Sequence, residues 1–259
     1  MPVRELMAQA AERLDAVAFA ERRLGFSPDL QQREVLANGS GRLLLCCSRQ
    51  WGKSTTAAAL AVHKAVSRPE ALTICVSPTL RQTREFLRKV RGFLCAAGQA
   101  VGGSQLELQL QNGSRIVGLP GREANVRGFS APALIVIDEA ARVEDALYYA
   151  LRPMLAMGGG DLALLSTPFG ERGFFWKELA RGSERWTRIE AKATDCLRID
   201  AAFLDEERET QGAEWFAREY LCSFVGMSNQ AFRSEWLEAA RREGLRSKSL
   251  DFQFKGGML

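Results

Sequence analysis

A single histidine, His63, stands among 259 residues. A zinc site built on histidines is therefore excluded by count. A serine–histidine–acid triad would have to rest on His63, and no nucleophile motif accompanies it. No apolar run approaches the roughly 18 residues needed to cross a bilayer. The opening MPVRELMAQAAERLDAVAFAERR is interrupted early by acids, which makes it a poor secretion signal. No internal repeat and no CxxC pair is present. The six cysteines, Cys46, Cys47, Cys75, Cys95, Cys196 and Cys222, lie mostly inside apolar runs. They read as free thiols in a reducing, cytosolic setting.

What is there is the profile of a soluble globular protein, with 46% apolar and 25% charged residues. The net charge of +4, from 35 basic and 31 acidic residues, says less than its distribution. Residues 78–100 carry Arg81, Arg84, Arg88, Lys89 and Arg91 against Glu85 alone. The segment 200–219 is mainly acidic, and 241–259 is a basic tail. Each run taken alone is a solvated helix face. The basic helix is also a candidate surface for gripping a nucleic-acid backbone.

Apolar spacing at Val3, Leu6, Met7, Ala10, Leu14 and Val17 predicts one amphipathic helix over 3–24. Gly25 stops it. Ser27 is the expected cap, with Pro28 in the first turn, of a second helix running to Leu36. Buried strands are expected at 42–47, 71–77, 133–137 and 162–165, with another strand at 186–190. Residues 98–104 read as a glycine-rich loop, 106–117 as a hairpin and 120–132 as a long loop. Helices are expected over 53–67, through Leu94, over 143–155, near 174–179, and over 201–209 and 213–224. Strands alternating with helices imply an α/β fold, a mostly parallel sheet with its active edge at the strand C-termini.

The sharpest motif follows the first strand: Ser48-Arg49-Gln50-Trp51-Gly52-Lys53-Ser54-Thr55. It matches the phosphate-loop pattern GxxxxGK[ST], except that Cys47 stands at the first glycine. Such a strand-to-helix turn aims backbone N–H groups and a helix N-terminus at phosphate. Lys53 is then the group that bridges β- and γ-phosphates, and Ser54 holds Mg²⁺. Thr55 supports the helix. Arg49 has two readings, reaching the γ-phosphate from within the chain or shaping the loop by pairing with a carboxylate.

The expected complement is Leu134-Ile135-Val136-Ile137-Asp138-Glu139, an apolar strand tipped by two acids. Asp138 suits the Mg²⁺ shell and Glu139 suits polarising an attacking water. Adjacent strand residues point to opposite sides, which fits two separate jobs. Ser166-Thr167-Pro168 ends the next buried strand, where its hydroxyls could sense the γ-phosphate or Glu139. Gln32, before the first strand, carries an amide able to read adenine, with Phe26 near it to stack, or both serve ordinary helix packing.

Ser48-Arg49-Gln50-Trp51-Gly52-Lys53-Ser54, Ile137-Asp138-Glu139-Ala140 and Leu165-Ser166-Thr167-Pro168 resemble the ATPase half of the large terminase subunit, the DNA-packaging motor of tailed bacteriophages. The resemblance covers roughly residues 26–226 and includes Trp215 to Phe224, which looks like that family's end-of-ATPase helix. It implies a P-loop NTPase fold and hydrolysis of ATP with Mg²⁺. It implies that Gln32 recognises adenine, and that the loop from Ser48 through Gln50, Trp51 and Gly52 to Thr55 binds ATP. Lys53, Ser54 and Asp138 resemble its Mg-ATP residues, Glu139 its catalytic base and Ser166, Thr167 and Pro168 its coupling motif. Arg49 resembles an arginine acting within its own subunit. Arg127, in Asn125-Val126-Arg127-Gly128, resembles one delivered by a neighbour in a ring. The implied partners are double-stranded DNA, a portal protein and a small terminase subunit. The implied assembly is a pentameric ring docked on a procapsid in the host cytoplasm.

On this reading, residues 1–24 are a helical appendage and 25–195 the P-loop ATPase core. Residues 196–240 form a helical lid, and 241–259 the basic tail. The family continues into a nuclease with a carboxylate cluster, and no strand tipped by Asp with partner acids is visible near the end of this sequence. ATP hydrolysis without DNA cleavage is therefore expected. Two other readings use the same motifs, a helicase-like DNA-stimulated ATPase and a non-catalytic adaptor of the packaging machinery.

Overall fold

The uninterrupted apolar runs sort into two faces by the two-residue period of an extended chain. Leu43, Leu45 and Cys47 of β1 (Arg42–Cys47) join one hydrophobic layer, and Leu44 and Cys46 join the other. Strands buried on both faces carry no polar alternation, and that is why these segments read as plain apolar runs. The computed structural model describes residues 10–121 and 128–224, all within one compact unit.

The remaining strands are β2 (Leu72–Ser77), β3 (Val101–Gly103), β4 (Glu107–Leu110), β5 (Arg115–Pro120), β6 (Leu134–Asp138), β7 (Asp161–Ser166) and β8 (Trp186–Ala191). They form one eight-stranded sheet in the order β3-β4-β5-β2-β6-β7-β1-β8. From β5 to β8 all pairings are parallel, and β3 and β4 add an antiparallel edge. The α/β, mostly parallel architecture expected from the sequence is the one found.

One face is covered by α1 (Ala16–Arg23), α2 (Leu30–Ala37), α3 (Lys53–Ser67) and α4 (Leu80–Ala96). Ala57, Ala58, Ala59, Ala61 and Ala65 of α3 are buried, and their small side chains let the helix lie close to the sheet. The opposite face is covered by α5 (Asp145–Leu151) and α6 (Gly173–Arg181), through Leu147, Tyr148, Leu151, Phe174 and Phe175. Tyr148 stacks on Phe174 with centroids 4.1 Å apart. The helices α7 (Ala201–Gln211) and α8 (Ala213–Tyr220) close a small separate cluster of Ala193, Leu204, Phe216 and Tyr220.

Several boundaries differ from the sequence expectation, each for a local reason. The first helical stretch breaks at Asp15, whose carboxylate accepts from the N–H groups of Val17 and Ala18 and starts α1 afresh. The part of that helix before residue 10 lies outside the described residues. Asp29, not Ser27, caps α2. It forms a reciprocal box with Gln32, two orphan donors satisfied at once. The expected helix over 143–155 shortens to α5 followed by a 3-10 turn at Arg152–Leu155, where Pro153 supplies no N–H. The glycine-rich stretch 98–104 contains β3, because Gly102 and Gly103 can lie close against the backbone of β4.

Leu44 is fully buried in the strand that ends at the phosphate loop. Leu44→Ala should cost about 2–5 kcal/mol, read as a lower urea midpoint at unchanged slope. A shift below about 1 kcal/mol would mean that the layers collapse around the gap.

Candidate active site

The strand order fixes the site before any side chain is considered. β7 lies between β1 and β6, so the phosphate loop after β1 and the acids after β6 open on one edge. In register, Ser166 lies beside Cys46, and Asp138 beside Leu165. Three segments far apart in sequence therefore meet at the C-terminal edge of three parallel strands.

Gly52 begins α3 with φ +99°, and no side chain caps the helix. A Cβ at that position would stand 2.9 Å from Gln32 Nε2, so glycine is required by conformation and by space. Lys53 Nζ lies 2.7 Å from Glu139 Oε1. One residue on, Ser54 Oγ donates to Asp138 Oδ2 at 2.8 Å. The two acids do not point to opposite sides as strand alternation predicts. Glu139 has left the strand with φ 54°, and this left-handed turn brings its carboxylate back to the pocket Asp138 faces.

The charges are set by burial and by one another. Burial pushes the Asp138 carboxyl up from its ordinary value, against the opposing pull of Lys53 and the Ser54 hydroxyl. Burial pulls Lys53 down, but the neighbouring charges of Asp138 and Glu139 outweigh it and leave its ammonium held above the ordinary value. Arg142 Nε stands 3.9 Å from Glu139 Oε2, and its guanidinium also lies over the Phe169 ring at 4.2 Å. The Ser166 hydroxyl accepts from the N–H of Ala141 at 3.1 Å. The middle strand thereby touches the turn that carries Glu139. Thr167 and Pro168 are buried beside it.

The loop itself is anchored from several directions. Trp51 is fully buried, and its indole N–H donates to Gln31 Oε1 at 2.9 Å. Its carbonyl accepts from Gln32 Nε2 at 3.2 Å and from Arg198 Nη2 at 2.6 Å. Each end of the Gln32 amide thus has a partner within the chain, the other being the N–H of Asp29. Phe26 packs against Phe93 at 5.8 Å. Ser48 and Arg49 donate their backbone N–H groups to the carbonyls of Ala191 and Glu219, while Gln50 stands exposed at φ 61°. The Arg49 guanidinium pairs with Glu219, its Nε 2.7 Å from Oε2. Thr55 accepts from Lys89 and faces α4. Arg127 lies outside the described residues.

The residues fit an anion and a divalent cation by three observations. The N-terminus of α3 has no capping side chain, the buried Ser48 hydroxyl has no hydrogen-bond partner, and neither does Glu139 Oε2. A hydroxyl beside a carboxylate, as at Ser54 and Asp138, is the hard oxygen pair that Mg²⁺ takes with waters completing its shell.

Sequence reasoning passed over Glu219, Arg198 and Arg142. Glu219 sat in an acidic run that reads as a solvated face. The available signal was its place on one stripe of α8 with Phe216 and Tyr220, all three buried. Arg198 joins the Asp29 cap of α2 to the Trp51 carbonyl, a link between three distant segments with no local signature.

Fold and site define a mostly parallel α/β domain with a phosphate-loop motif where β1 passes into α3. Residues 44–239 match the family described as terminase large subunit, T4likevirus-type, N-terminal, and the chain belongs to that family. The large terminase subunit of Escherichia phage T5 is 28% identical over 198 residues, 72% of this chain and 44% of that protein. The large subunit of Thermus virus P23-45 is 24% identical over 250 residues, 81% of this chain and 51% of that one. The chain thus spans about half the length of these relatives. Among solved structures, the large terminase ATPase domain of Thermus phage P74-26 superposes with a TM-score of 0.71 at 23% identity. The match covers 80% of this chain and 97% of that one. A large terminase from a thermophilic bacteriophage, solved in complex with ADP, gives 0.63 at 13% identity, over 83% of this chain and 53% of that one.

Gly52→Ala would combine a left-handed φ with a Cβ pressed on the Gln32 amide. It should destabilise the protein by about 1–3 kcal/mol and weaken the Gln32–Trp51 link. Thermal unfolding checks this, and an unchanged midpoint would show that the loop re-forms without that geometry.

Proposed function

We propose that this chain is the ATP-hydrolysing half of a DNA-packaging motor, driving double-stranded DNA into a procapsid. The observation that carries the reading is the convergence of Lys53–Glu139 and Ser54–Asp138 beneath an uncapped helix N-terminus. Family membership supports it, and the helicase-like and adaptor readings gain no comparable support.

In this reading the phosphates of ATP lie over the loop from Ser48 to Thr55, met by backbone N–H groups and the N-terminus of α3. Ser54 and Asp138 hold Mg²⁺, which when bound neutralises charge on the phosphate oxygens. Lys53 gives up its contact with Glu139 to meet the phosphates. Glu139, already aimed into the pocket by its left-handed turn, then accepts a hydrogen bond from the attacking water and orients it. Arg49 and Arg127 supply positive charge to the transferring group, the first in cis and the second from a neighbouring subunit of a ring. Gln32 reads the adenine edge by exchanging an internal partner for the base. The Ser166 bond to Ala141 conveys movement of the Glu139 turn to β7 and its Ser166-Thr167-Pro168 tip. Portal protein, small terminase subunit and a pentameric ring in the host cytoplasm complete the motor. Gripping DNA through its backbone keeps such a motor indifferent to sequence.

Steady-state phosphate release with and without double-stranded DNA tests the reading. Glu139→Gln should lower kcat by at least about 100-fold while leaving ATPγS binding in place. Lys53→Ala should weaken that binding as well. Wild-type protein without turnover under either condition would overturn the motor reading, and duplex unwinding would favour a helicase.

A further inference from the structure

Phosphates that draw Lys53 away take from Glu139 its close cation. The Glu139 side chain is largely enclosed, and its two oxygens are held unequally. Oε1 meets Lys53 Nζ at 2.7 Å. Oε2 is buried without a hydrogen-bond partner, and Arg142 Nε stands 3.9 Å from it. That separation is within the range of an ion pair and beyond that of a hydrogen bond. An enclosed carboxylate that loses its only close counter-charge is strongly destabilised unless another cation moves in.

The chain keeps Arg142 ready beside the acid. After the left-handed Glu139 comes a 3-10 turn, Ala140–Arg142, closed by the N–H of Arg142 on the Glu139 carbonyl at 2.8 Å. This tight turn brings the side chain three places on back toward the carboxylate. The guanidinium carbon lies 4.2 Å from the centroid of the Phe169 ring, and Arg172 stands 5.4 Å from the same centroid. A ring face attracts the cation without engaging its N–H groups. Among the described residues, the Arg142 guanidinium makes no hydrogen bond, so its donors remain available for Oε2. Phe169 itself directly follows Ser166-Thr167-Pro168, and Ser166 already holds the N–H of Ala141 in the same turn.

We propose that Arg142 is a positioning residue for Glu139: when phosphates take Lys53, the guanidinium closes on Oε2 and holds the carboxylate aimed into the site. This rests on the reading that Glu139 orients the attacking water. The two oxygens then divide the work. Oε2 accepts from Arg142, and Oε1, released by Lys53, accepts from the water. Phe169 is the anchor from which the guanidinium makes this short move. The exchange of one cation for another keeps Glu139 paired throughout, and it is felt at the tip of β7 because the anchor sits there.

Two measurements on the 259-residue chain test it. The first is urea unfolding without nucleotide, where Lys53→Ala imitates the departure of the lysine. Arg142→Ala should lower the midpoint at least about twice as far in the Lys53→Ala background as in the wild type. Arg142→Lys, which keeps the charge, should remove most of that excess, and so should adding Glu139→Gln, which leaves no charge to pair. Equal shifts in the two backgrounds overturn the exchange, whether or not the protein turns over ATP. The second is kinetic. Arg142→Ala should lower kcat for phosphate release at least about tenfold with Mg·ATPγS affinity by calorimetry nearly unchanged, and Arg142→Lys should recover part of the rate. Wild-type kcat in Arg142→Ala, with Glu139→Gln inactive, overturns the positioning role alone. Wild-type kcat in Glu139→Gln overturns the role of Glu139, and the proposal with it.

Discussion

The whole site depends on opposite charges meeting at the edge of the sheet, where the start of α3 faces the end of β6. Lys53 and Ser54 hold Glu139 and Asp138 across that gap at 2.7 and 2.8 Å. Asp138 is buried and Lys53 and Glu139 are largely enclosed, so each charge needs a partner, since an unpaired buried charge costs several kcal/mol. The Lys53 ammonium offsets part of the charge of the two acids, and the Ser54 hydroxyl gives Asp138 a hydrogen bond. The same arrangement makes the site responsive. An arriving polyanion competes with the acids for Lys53, and an arriving cation competes with Lys53 for the acids.

This pairing needs a rigid frame, which the parallel sheet supplies. Strands β1, β7 and β6 are neighbours, and both faces of each are covered by helices. The loop between β1 and α3 is held by the buried Trp51 ring and by backbone bonds to β8 and α8. The left-handed conformations of Gln50 and Gly52 in the loop, and of Glu139 after the strand, fall where chemistry is proposed. Strain there persists because the surroundings over-determine it.

Much of this was legible from residue patterns alone. The buried strands, the loop motif and the acid pair all rest on local rules, namely the extended-chain period, the demand for glycine at a left-handed turn, and acids at a strand tip. Element boundaries were less legible. Asp15 and Asp29 won over the expected helix and cap because capping depends on which donors are left orphaned once the chain turns. The expected opposed orientation of Asp138 and Glu139 failed for a related reason. Strand alternation applies only while the residue is in the strand, and Glu139 is not. The roles of Glu219 and Arg198 were invisible because each is defined by partners far along the chain.

The sequence by itself determined the chemical repertoire and the elements that carry it: Gly52-Lys53-Ser54 opening a helix, and Asp138-Glu139 closing a buried strand. Both follow from neighbours a few residues apart. Only the tertiary structure decided that β7 lies between β1 and β6, the strands that lead to these two motifs, and that a left-handed turn returns Glu139 to the pocket of Asp138. It alone assigned Arg49 to Glu219. Those outcomes depend on strand order and on pairs of residues distant in the chain, and long-range pairing leaves no periodic trace for a local reading to find.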